Sequence, residues 1–323
     1  MANPLVGTAP LDRQELIGNA PPPGEPVYSG QTSPGARLPH SSVEAAPINN
    51  NIELSFPNGV PVPYYYTNPT MLGFSGGGGA TYGGRAEPVI SPVVGDWSMP
   101  PDYRESYYDK TREKASPGYY SVYLDRFKTL VELTATRWAS LMRFSFPTTE
   151  NANVLVNFPE HGGQMEIVGN RTVRGVAQDS KAIDGAYFVA EFSTAFTDFG
   201  TFRKAPGDEK GWGIGDSDVE LGGRLVEGTY AGAYLTFHTK TGERVLMKIA
   251  HGTSYAQAEQ RLRDELPSWN FDSVHQAARN EWAKLLDRVQ VWLVPGSFAW
   301  AVSIGSFEVS RWRLRGTRSG YGN

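Results

Sequence analysis

Residues Ser116–Pro147 read SPGYYSVYLDRFKTLVELTATRWASLMRFSFP, and this stretch decides the fold. In Tyr120–Leu124 and again in Leu130–Thr136, apolar or aromatic residues take every second position. Successive side chains of a strand point to opposite faces, so each run presents one apolar and one polar face. Pro117-Gly118 ahead of the first run and Pro147 behind the last punctuate the unit, which predicts antiparallel strands joined by short turns. Further out, strand-like segments recur at Val154–Phe158, Gln164–Val168, Thr172–Val176, Tyr187–Phe192, Ala231–Phe237 and Arg244–Ile249. Turn clusters such as Glu160-His161-Gly162-Gly163 and Thr241-Gly242 separate them. Many short strands with Gly-rich turns predict a mainly β fold, a large antiparallel β-sandwich, and not an α/β arrangement.

Ser254 opens a different regime. Ser254 and Gln257 have capping-box spacing, and the helix they start ends at Pro267. Asp272 is the expected N-cap of a second helix, in which Val274, Ala277, Ala278, Trp282, Leu285, Leu286 and Val289 form one apolar stripe that needs a partner surface. From Met1 to about Pro101 the chain is dense in Gly, Pro and Asn, yet it carries Tyr64-Tyr65-Tyr66, Met71-Leu72-Gly73-Phe74 and Pro88-Val89-Ile90. Ordered, irregular loops are expected there more than a linker. The expected organisation is a β-sandwich domain over 1–250, a short α-helical linker over 251–291 and an atypical tail over 292–323.

At 323 residues and 40% hydrophobic content the chain can build a sizeable core. A net charge of −4 argues against a sequence-independent nucleic-acid binder, which needs a basic surface, and no apolar run reaches membrane-spanning length. With no cysteine, disulfides and thiol chemistry are excluded, while the compartment stays open. Met1-Ala2-Asn3-Pro4-Leu5 does not read as a signal peptide. The histidines His40, His161, His238, His251 and His275 are scattered without zinc-ligand spacing, and no GxSxG elbow is present. The run Gly76–Gly79 lacks the Gly-Lys-Ser/Thr ending of a phosphate loop, so it points to close backbone approach instead.

The wording PGYYSV…VELTATRW…RFSFP, with AHGTSYAQAEQRL…WNFDSVHQAARNEWAKLLDRVQV further on, resembles the N-terminal part of glycoside hydrolase family 92, the calcium-dependent exo-α-mannosidases. The resemblance runs from about Asn3 to Val291 and implies a galactose-mutarotase-like sandwich followed by a linker. It also implies an inverting hydrolase, usually secreted or periplasmic, acting on an α-mannoside or related glycan. In that family the catalytic carboxylates and most calcium ligands belong to a helical domain, so no catalytic or metal residue is expected in this chain. The sandwich alone is expected to be inactive without that partner domain. Beyond Val291 the resemblance stops. The tail WLVPGSFAWAVSIGSFEVSRWRLRGTRSGYGN has no lysine and reads like coding DNA taken out of frame, although Phe298, Trp300, Val302 and Ile304 alternate as in a strand.

Two loops, GQTSPGARLP (Gly30–Pro39) and Tyr64–Gly84, resemble those that help form the family's sugar pocket. Gln31 stands where His is usual, His40 where Phe is usual and Gly76 where a second His is usual, which suggests a divergent subgroup or altered sugar preference. The candidate sugar-contacting residues are Gln31, Arg37, His40, Tyr65, Tyr66, Thr81 and Tyr82, whose amide, guanidinium, hydroxyl and phenol groups suit a polyhydroxylated ring. Trp97 beside Asp96 joins them as a possible pocket wall. The carboxylates Asp96, Asp102, Glu105, Asp109 and Glu113 interleave with Arg104, Lys110, Arg112 and Lys114, the pattern of a solvated face more than of an acid-base pair. The competing reading is a stand-alone carbohydrate-binding or structural module using Tyr64–Tyr66, Tyr82 and Trp97 as stacking surfaces.

Overall fold

The computed structural model describes residues 2–8, 32–49, 64–77, 88–98, 104–158, 162–177, 186–204, 217–293, 300–304 and 307–308. The chain divides into two units, Met1–Arg279 and Asn280–Asn323. The strands of the first unit begin with β1 (Ala36–Arg37), β2 (Glu44–Ile48), β3 (Thr70–Met71), β4 (Gly73–Ser75) and β5 (Val89–Val94). Next come β6 (Ser106–Tyr107), β7 (Lys114–Ser116), β8 (Tyr119–Leu124), β9 (Thr129–Ala135), β10 (Ala139–Ser145), β11 (Thr149–Asn157) and β12 (Gly163–Val168). Then follow β13 (Thr172–Ala177), β14 (Tyr187–Phe192), β15 (Asp198–Lys204), β16 (Ser217–Leu221), β17 (Leu225–Gly228), β18 (Gly232–Thr239) and β19 (Val245–Gly252). The helices are α1 (Tyr255–Glu265) and α2 (Phe271–Leu286).

Among the described residues these strands form an eight-stranded sheet, ordered β1-β2-β4-β5-β11-β18-β15-β16, and a nine-stranded sheet, ordered β17-β12-β13-β14-β19-β10-β9-β8-β7. The fold is the mainly β antiparallel sandwich that the alternation predicts. Registers explain the core: Tyr120 faces Leu133, Leu133 faces Met142 and Met142 faces Met247, while Val122, Val131, Phe144 and Val245 make a second row. These rows meet Phe74, Ile90, Val154, Val156 and Phe237 of the other sheet in one buried apolar cluster. Removing such a side chain from water stabilises by about 1.5–3 kcal/mol each, which is what holds the two layers together.

Strand β10 lacks alternation because both of its faces are covered. Met142 and Phe144 point into the sandwich. Leu141, with Val189 and Ala250 on neighbouring strands, packs outward against Ala258, Leu262 and Leu266 of α1 and its end. A strand covered on both sides loses the period-two signature.

Helix α1 begins as expected, with Ser254 Oγ accepting from the Gln257 N–H at 3.3 Å and Gln257 Oε1 accepting from the Thr253 N–H at 2.8 Å. It ends at Glu265, ahead of Pro267, and Lys248 Nζ donates to the Leu266 carbonyl at 2.5 Å. The start of α2 corrects the sequence reading. Asn270 Oδ1 accepts from the Ser273 N–H at 3.0 Å and so does the capping, while the Asp272 carboxylate turns to Arg143 at 2.9 Å. The N-terminal segment holds more sheet than its composition suggests: β2 and β5 carry Pro47 and Pro92 opposite Phe74 and Val154. Proline inside paired strands is disfavoured, and tertiary packing overrides that local signal here.

In the second unit β20 (Val289–Leu293), β21 (Trp300–Ile304) and β22 (Phe307–Glu308) pair antiparallel in that order. Val289, placed on the helical stripe by its spacing, belongs to β20. Trp300, Val302 and Ile304 lie on β21, and Phe298 lies outside the described residues.

Candidate functional site

Strand β2 carries a different polar group at each end. Arg37 of β1 lies opposite Glu44, with its Nη1 3.6 Å from Glu44 Oε2. Glu44 is buried, and Gly35 makes room for it: a Cβ on Gly35 would lie 2.7 Å from Glu44 Oε1. The Glu44 N–H donates to the Gly77 carbonyl at 3.1 Å, and Ser140 Oγ donates to the Gly76 carbonyl at 2.6 Å. Gly77 has φ +150°, and a Cβ there would press on Val43 and the His251 ring, while one on Gly76 would lie 2.6 Å from Ile249. The start of the glycine run is thus wedged between strands, and this wedge fixes the point from which residues 78–87 continue. His40 sits on the same side, exposed and at φ 57°, in the loop whose Ser42 N–H donates to the Arg137 carbonyl at 3.2 Å. His251 is buried, and Arg261 donates to its carbonyl, consistent with a structural residue.

At the other end of β2, Asn49 holds Tyr65 by a backbone-like pair: its Oδ1 accepts from the Tyr65 N–H and its Nδ2 donates to the Tyr65 carbonyl, both at 2.8 Å. Around it lies a buried polar knot. Glu113 Oε1 accepts from Tyr64 Oη at 2.7 Å and from Tyr120 Oη at 2.6 Å. Lys110 Nζ donates to Tyr64 Oη at 3.0 Å and to Tyr108 Oη, and approaches Glu113 Oε2 at 3.4 Å. The ammonium also lies 4.3–5.0 Å from the ring centroids of Tyr64, Tyr66 and Tyr108. Burial lowers the Lys110 pKa against the pull of Glu113. It raises the phenol pKa of Tyr64, Tyr108 and Tyr120, with nearby phenols and the Glu113 carboxylate adding to the rise.

Of the candidate residues, Arg37 and His40 therefore share one end, and Tyr65 and Tyr66 share the other. At about 3.3 Å per residue, the five steps from Glu44 to Asn49 separate the two ends by roughly 16 Å, more than one sugar ring spans. Trp97 stacks on Tyr234 with centroids 4.0 Å apart and planes at 18°, so a protein ring covers one of its faces. Gln31, Thr81 and Tyr82 lie outside the described residues. Sequence reasoning passed over Glu44 and Tyr108, whose contacts join segments far apart in sequence, and it read Lys110 and Glu113, three residues apart, as part of a solvated face because nothing local marks their burial.

The acidic stretch departs from a uniformly solvated face. Asp96 accepts from the Ser98 N–H and Oγ at 2.9 and 2.6 Å, which holds its carboxyl below the usual range. Asp109 caps a short 3-10 turn by accepting from the Thr111 N–H at 2.8 Å, and Arg112 pairs with Asp125 at 3.0 Å. Glu113 and Arg104 are buried, and Arg104 lies over the Phe202 ring at 5.4 Å. Asp102 lies outside the described residues.

The phenols carry a pH dependence. Burial, the largest cause in both, pushes Tyr119 and Tyr234 up to about 12. An unfolded tyrosine ionises near pH 10, so above that pH the unfolded chain loses protons that the folded chain keeps. The contribution of these groups is complete below about pH 10 and is lost as the pH rises through about 12. The lowered Lys110 acts in the opposite sense below its own unfolded value and is outweighed by the several raised phenols. The urea midpoint is expected to hold steady up to about pH 9 and fall steeply by about pH 11, with the tyrosinate absorbance of the buried phenols appearing only as the protein unfolds.

The sequence profile of the glycosyl hydrolase family 92 N-terminal domain matches residues 1–251. The chain belongs to glycosyl hydrolase family 92. Among solved structures, the family 92 inverting mannosidase from Bacteroides thetaiotaomicron VPI-5482 is 24% identical with a TM-score of 0.71, covering 90% of this chain and 36% of that one. A family 92 α-mannosidase from Bacteroides thetaiotaomicron is 20% identical with a TM-score of 0.67, covering 90% and 38%, and has also been solved with mannoimidazole. A third family 92 glycosyl hydrolase is 18% identical, with a TM-score of 0.61 and coverage of 81% and 36%. The chain thus spans under two fifths of the length of these relatives. No curated protein matches it.

Among the described residues, no three His, Cys, Asp or Glu side chains gather as metal ligands. Among the described residues, no helix is long and apolar enough to cross a membrane.

Proposed function

We propose that this family 92 sandwich supplies one wall of the sugar pocket of an inverting exo-α-mannosidase-type hydrolase, and that the acid, the base and calcium are brought by a helical domain beyond this chain. The observation that carries the reading is the gathering of Arg37, His40, Glu44 and Gly77 at one end of a domain matched over residues 1–251. Arg37 is half-exposed and held by the Glu44 carboxylate, so its guanidinium can donate to ring hydroxyls. Gln31, Thr81 and Tyr82 are proposed as further contacts because their loops resemble those of the family's sugar pocket.

Tyr66 is assigned to the Lys110 network in place of the sugar, and Tyr65 is held beside it through its backbone by Asn49. Nothing favours the stand-alone module: Tyr64 is buried with its phenol on Glu113, and one face of Trp97 is taken by Tyr234.

The test is an aryl α-mannoside assay with calcium and with EDTA, together with calorimetric titration of mannose and mannobiose. The isolated chain is expected to show neither turnover nor binding. When the helical half of a family member is supplied, calcium-dependent turnover is expected, and Arg37→Ala should lower kcat/KM by about tenfold while Tyr66→Phe leaves it nearly unchanged. Calcium-dependent turnover by this chain alone would refute the assignment of the chemistry to another domain. Millimolar or tighter binding by the chain alone would favour the module.

A further inference from the structure

Among the described residues, the eight- and nine-stranded sheets end in four edge strands, β1, β16, β17 and β7. An exposed edge offers unpaired N–H and C=O groups, and proteins usually blunt it by shortness, lysine, proline or a break. Strand β1 has two residues, β7 carries Lys114, and β17 stops at Gly228, whose φ is +139°. Strand β16, Ser217-Asp218-Val219-Glu220-Leu221, runs five residues without lysine or proline before Gly222, and its charges are acidic.

Its register shows what the edge presents. The Gly222 N–H donates to the Phe199 carbonyl at 2.8 Å, so by antiparallel alternation Glu220 exchanges its backbone bonds with Thr201 and Asp218 with Arg203. The N–H and C=O groups of Val219 and Leu221 then face outward. Val219 lies opposite Phe202, which is in the core, so Val219 and Leu221 continue the apolar inner face past the last paired strand. They are 41% and 77% exposed, and Leu221 has only Gly200 as its cross-strand neighbour. Across the corner at Gly222–Arg224, Leu225 and Val168 are also exposed, at 56% and 40%. The exposed Glu220 lies on the opposite face of β16.

We infer that β16 accepts an extended partner segment of alternating basic and apolar residues as an added strand. The partner's apolar side chains cover Val219 and Leu221, its Lys or Arg side chains meet Glu220, and its backbone completes the ladder. The acidic character of β16 disfavours a second copy of the same strand, because like charges would then face each other.

The test titrates the full chain with a blocked peptide alternating arginine and valine, with a glutamate-valine peptide as control. Saturable binding of the basic peptide alone, weakened by salt, is expected. Val219→Pro removes only an outward N–H, so it should abolish binding while leaving the urea midpoint near that of the parent chain. Glu220→Lys should weaken binding by about tenfold. Should Val219→Pro fail to fold, Leu221→Lys takes its place, with the same loss expected. Absence of saturable binding, equal binding of both peptides, or binding indifferent to these substitutions overturns the inference. Self-association that Val219→Pro abolishes overturns it in favour of a second copy.

Discussion

Arg143→Ala is expected to lower the unfolding free energy by about 3–5 kcal/mol, read as a shift of the urea midpoint at unchanged slope. Arg143 and Glu132 face each other across β10 and β9, with Nε 2.6 Å from Oε2 and Nη2 2.7 Å from Oε1. Both side chains are only about a tenth exposed. The third nitrogen, Nη1, reaches Asp272 at 2.9 Å, and the guanidinium lies 4.1 Å from the Phe271 ring centroid. Burial opposes the charge on Arg143, and its hydrogen bonds to Glu132 and Asp272 outweigh it, so its pKa is raised. Alanine would leave the Glu132 carboxylate buried with Tyr119 Oη as its remaining donor among these groups, at 3.0 Å. The cost is mainly that stranded charge and not the worth of the pair. The double change Glu132→Leu with Arg143→Met is therefore expected to recover most of the loss. A midpoint for Arg143→Ala within about 0.5 kcal/mol of the parent would show that the pair is not desolvated.

Glu113→Ala is expected to cost a similar amount, about 3–5 kcal/mol, because it strands the phenols of Tyr64 and Tyr120 in the core and removes the counter-charge of Lys110. Glu113→Gln keeps an acceptor oxygen and should lose less. The fall in stability should come with local exposure, so amides around Tyr64–Tyr66 and Lys110–Arg112 should exchange faster than those of β10. Equal stability of Glu113→Ala and the parent would sink the reading of Glu113 as the anchor of this end.

How much was legible from the sequence follows from which contacts are local. Alternation located β8 and β9, and short apolar runs bounded by turn residues located the strands from β11 to β14, β18 and β19 to within a few residues. Strand β10 was hidden by helix α1 on its outer face, and β2 and β5 were hidden by their prolines. The capping of α1 was readable at Ser254, whereas Asp272 was taken for a cap because its true partner, Arg143, stands on a strand remote in sequence. At the candidate site, Arg37 and the glycine run were marked by their loops. The separation of Arg37 from Tyr65 was invisible, since only the pairing of β2 with β1 and β4 shows that Arg37 and Gly77 lie at one end of that strand and Tyr65 at the other.

That separation has an evolutionary consequence. Groups held roughly 16 Å apart by a stiff strand respond to substitution almost additively. Lineages of this family can therefore remodel the rim around Arg37 without unsettling the tyrosine-lysine knot that secures the far end, and on the proposed function sugar preference can drift while the scaffold keeps its stability.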